Sequence, residues 1–318
     1  MLRRFLAVAI LVSFGCVAID SVSTASTKPL ILQPVESAVA ESVTSSKPPT
    51  AYTPPLADFA SIGNDAGEGT VSACDVDGHS SQLKDPVPCI EGDVSATRTI
   101  VLVGDSNVGN WAPGLSRGLA KADYKLDVFS FAGCPTSDIT YVTADYIGAT
   151  PAQCNEWHRS IISAIVKLSP VAILTASSGI GAQYNQKAWD DGYETLFAKA
   201  SGNRSSVHRI VIGTSPYFNV PPPTCLSRYS SSPLRCILST KTTTLVGAYA
   251  TYAKRDAAVA SASGATLIRT SSLFCFDYKC AAEVNGIVTF VDNDHVTTAY
   301  SDGISAPLTN AVLAALKS

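Results

Sequence analysis

Two short stretches hold residue types that can do chemistry together. VLVGDSNVGN, residues 101–110, leaves an apolar run through Gly104-Asp105-Ser106, and IVTFVDNDHVT places Asp292 three positions ahead of His295. A serine hydroxyl is a weak nucleophile until a base takes its proton, and that base needs an acid to hold it in the useful tautomer. A D-x-x-H spacing lets a carboxylate curl onto the same turn as the imidazole, so Asp292 can orient His295 and His295 can serve Ser106. Each stretch also has a plain reading. Gly, Asp and Ser are ordinary turn residues, and the acidic turn could cap the final helix. Asp294 adjoins His295, and neighbouring side chains on a turn point apart, so its carboxylate is expected to face away from the ring. The other histidines, His79, His158 and His208, lie in an irregular stretch, in an expected helix beside Trp157, and just before an expected strand. They read as surface or packing residues.

Elements of regular structure must bring the two stretches together. Apolar, β-rich runs are expected to form strands at Thr99–Val103, Leu126–Phe131, Val171–Thr175, Arg209–Gly213 and Thr266–Arg269. Helical patterns lie between them at Trp111–Ala122, Glu156–Leu168, Gln186–Ala200 and Leu245–Ser261. Strands apolar throughout, alternating with helices, argue for an α/β fold with a parallel sheet covered on both faces. Sites in such sheets gather at the carboxyl ends of strands, where Ser106 falls. Two phosphate-loop readings are excluded. Gly104 and Gly109 have Walker spacing, but Asn110 stands where the lysine belongs, and Ser106 occupies the second glycine position of a dinucleotide fingerprint.

The chain of 318 residues is 46% hydrophobic and 15% charged, with 23 Lys+Arg against 26 Asp+Glu. It has no basic cluster, which argues against a nucleic-acid partner. Arg3 and Arg4, an apolar stretch from Phe5 to Ile19 and the small residues Ser23-Thr24-Ala25 read as a secretory signal peptide over 1–25. The apolar stretch is shorter than the roughly 20 residues of a spanning helix, and an uncleaved N-terminal anchor is the alternative. Residues 26–60, rich in Ser, Thr and Pro, read as a flexible linker, and 61–97 as an irregular extension stapled to a main domain at 98–318. Eight cysteines remain beyond Cys16, an even count that suits disulfides in an oxidising compartment. Their spacing favours the neighbour pairs Cys74–Cys89, Cys134–Cys154, Cys225–Cys236 and Cys275–Cys280. With no CxxC, neither a metal nor a cofactor is expected.

The motifs form an ordered set: Gly104-Asp105-Ser106, Trp111-Ala112-Pro113, Gly133-Cys134-Pro135, Cys154-Asn155-Glu156-Trp157 and the late DxxH. Over about residues 60–318 this resembles the SGNH (GDSL-type) hydrolase superfamily. It is most similar to the SGNH domains at the C-termini of membrane acyltransferases that modify cell-surface polysaccharides. The resemblance implies a disulfide-stapled, three-layer α/β/α fold of flavodoxin-like type, with a mostly parallel sheet. It implies a serine esterase or O-acyltransferase acting on O-acyl groups, O-acetyl foremost, of a cell-envelope glycan, with Ser106, Asp292 and His295 as its triad. A separately encoded membrane acyltransferase could supply acyl groups. Oxyanion donors in this superfamily come from the serine's own N–H, a glycine after the second strand, and an asparagine after the third. Ser106 and Gly133 match the first two. Thr175-Ala176-Ser177-Ser178-Gly179 has no asparagine, leaving Ser177 or Ser178 to donate, and Asn107 stands where the polysaccharide-modifying group usually has histidine. Those departures support an alternative, a catalytically silent glycan-binding module. A Cys134–Cys154 bridge would pin the loop carrying Gly133. The excursion FNVPPPTCLSRYSSSPLRC, after the fourth expected strand, could overhang the active edge or be a stapled surface loop.

Overall fold

A computed structural model describes residues 35–65, 81–141, 150–177, 185–202, 204–240 and 245–317. The chain divides into Met1–Leu30 and Ile31–Ser318, and every described residue belongs to the second unit. The expected signal peptide and Cys74 lie outside the described residues.

The sheet contains β1 (Cys89–Gly92), β2 (Thr99–Gly104), β3 (Lys125–Ser130), β4 (Ala172–Ala176), β5 (His208–Ile212) and, after the short β6 (Leu238–Ser239), β7 (Thr266–Ile268). Its order is β1-β3-β2-β4-β5-β7. All neighbours are parallel except the β1–β3 edge pair. Alternate residues of each strand feed two separate cores. Ile100, Leu102, Leu126, Val128, Leu174 and Ile210 face the helices α2 (Ala112–Ala120), α7 (Thr298–Gly303) and α8 (Ser305–Ala315). Val101, Val103, Phe129, Ile173 and Val211 face α3 (Pro151–Leu168), α4 (Gln186–Ala200) and α6 (Leu245–Ser263). Period-two strands clad by helices on both sides give the three-layer α/β/α arrangement. Helix α3 starts five residues before its expected position because Thr150 and Gln153 close a capping box with Pro151 in the first turn. No helix among the described residues is long and apolar enough to cross a membrane.

Over its described part, 35–60, the expected flexible linker is instead packed onto the domain. Helix α1 (Val35–Ser42) buries Val35, Ala38 and Val39, and Val43 follows at the same spacing. That is one apolar stripe in an otherwise polar stretch. Tyr52, Phe59 and Ile62 are buried beyond it. The Tyr52 hydroxyl donates to the Ser230 carbonyl at 2.8 Å. Thr53 joins the chain near Ile287, donating its amide to the Gly286 carbonyl at 2.8 Å and accepting from Val288 at 3.0 Å. The expected extension over 61–97 likewise contributes the edge strand β1. Cys89 in β1 is disulfide-bonded.

At the carboxyl end of β5, Asp256 of α6 accepts the Thr214 amide at 2.8 Å, and Thr270 donates its hydroxyl to the Thr214 carbonyl at 2.8 Å. Asp256 keeps intermediate exposure as a residue, but burial of its carboxylate pushes the group up to about 6.

Two outcomes follow from this packing. Val39→Asp should lower the thermal midpoint by several degrees, since it places a charge in a core; an unchanged melt would restore the linker. The Asp256 carboxyl binds its proton more tightly folded than unfolded, so its contribution to stability is present below about pH 4 and lost as pH rises through 6. Asp256→Asn should remove that dependence. Unfolding free energies at pH 4 and pH 7 should then show the variant gaining about 1–3 kcal/mol on the wild type, below full-burial linkage because some solvent contact remains.

Candidate active site

Ser106 stands where β2 leaves the sheet. At Gly104 a side chain would collide with the Ala176 carbonyl of β4, so only glycine lets the two strands close up there. Asp105, buried, accepts the Asn107 amide at 3.0 Å and caps the 3-10 turn Ser106–Asn110. The turn runs into the buried Trp111 and then α2, leaving Ser106 partly exposed at the sheet's carboxyl edge.

His295 lies in a loop that closes on itself. Phe290 bridges to Val296, and the Val291 amide donates to the His295 carbonyl at 2.8 Å. Inside, one Asp292 oxygen accepts the amides of Asp294 and His295 at 2.9 and 2.8 Å. Its other oxygen lies 2.7 Å from His295 Nδ1, and His295 Nε2 lies 2.9 Å from Ser106 Oγ. Burial alone would raise the Asp292 carboxyl, but the His295 hydrogen bond and charge and the two amides outweigh it and hold the group below its ordinary range. Asp294 does not face away from the ring as its adjacency suggested. The tight loop brings its oxygen to 3.7 Å from Nδ1, beyond hydrogen-bond reach. Asp292, Asp294 and His295 are the one group of candidate metal ligands among the described residues. Both His295 nitrogens are already engaged, Nδ1 by Asp292 and Nε2 by Ser106, and Asp292 also holds two backbone amides.

The loop after β3 carries Gly133. Phe131 donates its amide to the Gly104 carbonyl at 3.1 Å and accepts from Cys134 at 2.9 Å, with Gly133 in the left-handed region at φ +70°. Cys134 is bonded to Cys154 of α3. His158, one helical turn further along α3, is buried with Nε2 2.7 Å from the Pro135 carbonyl. Burial pushes its imidazole down to about 4, so it is neutral at pH 7 and donates to that carbonyl. The Tyr141 hydroxyl donates to the Ser137 carbonyl at 2.5 Å and lies 3.0 Å from the Pro135 oxygen. His158 is therefore a specific tie to the glycine loop, a role its sequence position did not reveal. Ser177 is equally committed. Its oxygen accepts the Thr136 amide at 3.1 Å and the Tyr193 hydroxyl at 3.2 Å, and shares a proton with the Thr136 hydroxyl at 2.7 Å. It has no proton to spare for an oxyanion, and Ser178 lies outside the described residues.

The excursion after β5 folds against the histidine loop at its start. Ser215 donates to the Asp294 carbonyl at 3.2 Å, and Phe218 and Asn293 exchange hydrogen bonds of 2.7 and 2.5 Å. It continues into α5 (Pro222–Tyr229), stapled by Cys225–Cys236, while Cys275–Cys280 closes the β8–β9 hairpin (Cys275–Phe276, Lys279–Cys280). His208 begins β5, at the opposite end of the sheet from Ser106, and His79 lies outside the described residues. Two functional candidates escaped the sequence reading, Ser215 and Asn110. The only signal for Asn110 was its place four residues after Ser106.

Comparison with known proteins bears on the fold and the family. No curated protein matches the chain in sequence. Among solved structures it shares its fold with the lipopolysaccharide acetyltransferase periplasmic domain of Salmonella ser. Paratyphi A. That match has 18% identity, covers 70% of this chain and 86% of the other, and gives a TM-score of 0.56. An aryl esterase of M. smegmatis (14% identity, 69% and 99% covered, TM-score 0.44) and a carbohydrate acetylesterase from Sinorhizobium meliloti (11%, 69% and 99%, 0.43) also match. The family model described as an SGNH domain, fused to AT3 domains, matches residues 73–309. With the match spanning most of the chain, the protein belongs to the SGNH domain family.

Proposed function

We propose that this protein is an extracytoplasmic serine esterase or O-acyltransferase acting on O-acyl groups, O-acetyl foremost, of a cell-envelope glycan. The observation that carries the reading is the unbroken chain from Ser106 Oγ through His295 to Asp292, with links of 2.9 and 2.7 Å. Ser106 Oγ bonds to the acyl carbon as its proton passes to His295 Nε2. Asp292 holds the Nδ1–H and stabilises the imidazolium. The tetrahedral intermediate collapses, breaking the ester bond, and the departing sugar hydroxyl takes the proton from Nε2. Water, or a second sugar hydroxyl, then attacks the acyl-Ser106 with His295 again as base. The Ser106 and Gly133 amides are the proposed oxyanion donors. The first amides of a helical turn have no partner within it, which suits Ser106.

The disulfides Cys134–Cys154, Cys225–Cys236 and Cys275–Cys280 favour an oxidising compartment. The signal-like N-terminus agrees with export. The glycan substrate draws support from a fold neighbour that is a lipopolysaccharide acetyltransferase periplasmic domain. Hydrolysis and transfer use the same residues. Paired release and transfer assays on an acetylated glycan, with Ser106→Ala as the control, decide between them.

Hydrolysis of p-nitrophenyl acetate tests the roles directly. Ser106→Ala should abolish turnover, and Asp292→Asn should lower it about ten-thousandfold by freeing the wrong tautomer to face the serine. Asp294→Asn should leave most activity, because its carboxylate does not bond to the ring. With folding of each variant checked by circular dichroism, a crippled Asp294→Asn beside an active Asp292→Asn would reverse the assignment.

A further inference from the structure

We propose that Asn110 is the positioning residue that holds the His295 imidazole in line with the Ser106 hydroxyl; this rests on the serine-esterase reading above. Ser106 and His295 come from segments 189 residues apart, joined directly by one side-chain hydrogen bond. Asp292 cannot set their relative placement, since its bonds to Asp294 and His295 stay within one loop. Some group must tie that loop to the serine turn.

Asn110 ends the turn that Ser106 begins and is 1% exposed. Its Oδ1 accepts the Val296 amide at 2.7 Å, and its Nδ2 lies 3.1 Å from the Asp294 carbonyl. One planar amide thus bonds to the backbone immediately before and immediately after His295, as a paired strand would. A residue gripped on both sides cannot slide or tilt without breaking a bond. The same Nδ2 reaches Asn107 Oδ1 at 3.1 Å and Ser215 Oγ at 3.2 Å, and Ser215 in turn donates to the Asp294 carbonyl. The Asn110 carbonyl accepts from Ser301 at 2.9 Å, which fixes the clamp from below through α7. A carboxamide offers a donor and an acceptor in one plane whatever the pH. Aspartate has the same shape but would set a carboxylate against the Asp294 carbonyl, and glutamine is one methylene too long for a buried site.

The test compares wild type with Asn110→Ala, Asn110→Asp and Ser215→Ala, assayed well below each thermal midpoint. Labelling by a fluorophosphonate and kcat for p-nitrophenyl acetate should fall about a hundredfold in either Asn110 variant with KM little changed, the scale of a small misplacement of reacting groups. Ser215→Ala should lose about tenfold, and it carries the test if neither Asn110 variant folds. A packing role would lower the midpoint and spare kcat; retention of kcat within threefold in the folded variants overturns the proposal. An NMR titration of His295 gives a readout independent of turnover. Ser106→Ala should shift its midpoint in the wild-type background and leave it unmoved in the variant background, because the contact is already lost. Equal shifts in both backgrounds overturn the proposal. If the wild type resists the fluorophosphonate while this coupling appears, the esterase reading fails and the clamp stands.

Discussion

The contact between Ser106 Oγ and His295 Nε2 is the link on which the rest of the site depends. A single hydrogen bond between long-separated residues contributes about 1 kcal/mol net, too little to gather two loops by itself. The scaffold has to deliver both groups already in place. The sheet does half of this. Close approach of β2 and β4 at Gly104 sets where the serine turn leaves, and the 3-10 turn capped by Asp105 sets its direction. The other half is the self-closed loop 290–296, whose backbone bonds and Asp292 fix the imidazole before any substrate arrives. Preorganisation of this kind is where such sites gain most of their electrostatic advantage.

The glycine loop after β3 is held with similar redundancy, but by unlike forces. A covalent bond joins it to α3 at Cys134, the neutral His158 holds the Pro135 carbonyl, Tyr141 holds the Ser137 carbonyl, and Ser177 ties down Thr136. The ties fall on the residues just after Gly133, so its amide cannot turn without straining several of them. The His158 tie also depends on ionisation. Its Nδ1 is buried without a hydrogen-bond partner among the described residues, so the environment tolerates only the neutral ring.

Much of this arrangement was legible in the sequence because its signals are local. Parallel strands buried on both faces read as apolar runs, and the five expected ones match β2, β3, β4, β5 and β7 to within a residue or two. The DxxH spacing works on a single turn, so Asp292 and His295 could be paired on paper. What escaped depended on distant partners or on short signals. Helix α1 shows only three small buried apolar residues, with Val43 just beyond it, between prolines and serines, and its burial is created by strands more than 230 positions away. Asp294 disobeyed the neighbour rule because the loop bends at that residue. His158, Ser177 and Asn110 owe their roles to carbonyls and hydroxyls that no spacing reveals.

The seat of α1 also orders events along the nascent chain. The helix rests against Ser271–Leu273, Cys275–Phe276 and Glu283–Val284, and Thr53 pairs with the strand around Ile287. The first part of this unit to be synthesised therefore has nowhere to dock until nearly the last has been made. Until then its apolar stripe stays uncovered, and the loop that must close around it is almost the whole domain, an entropic cost that rises only slowly with length. Docking of α1 thus reports that the polypeptide is complete through the residues just before the histidine loop. A chain cut short upstream of them leaves its own beginning unburied, a ready mark for quality-control proteases.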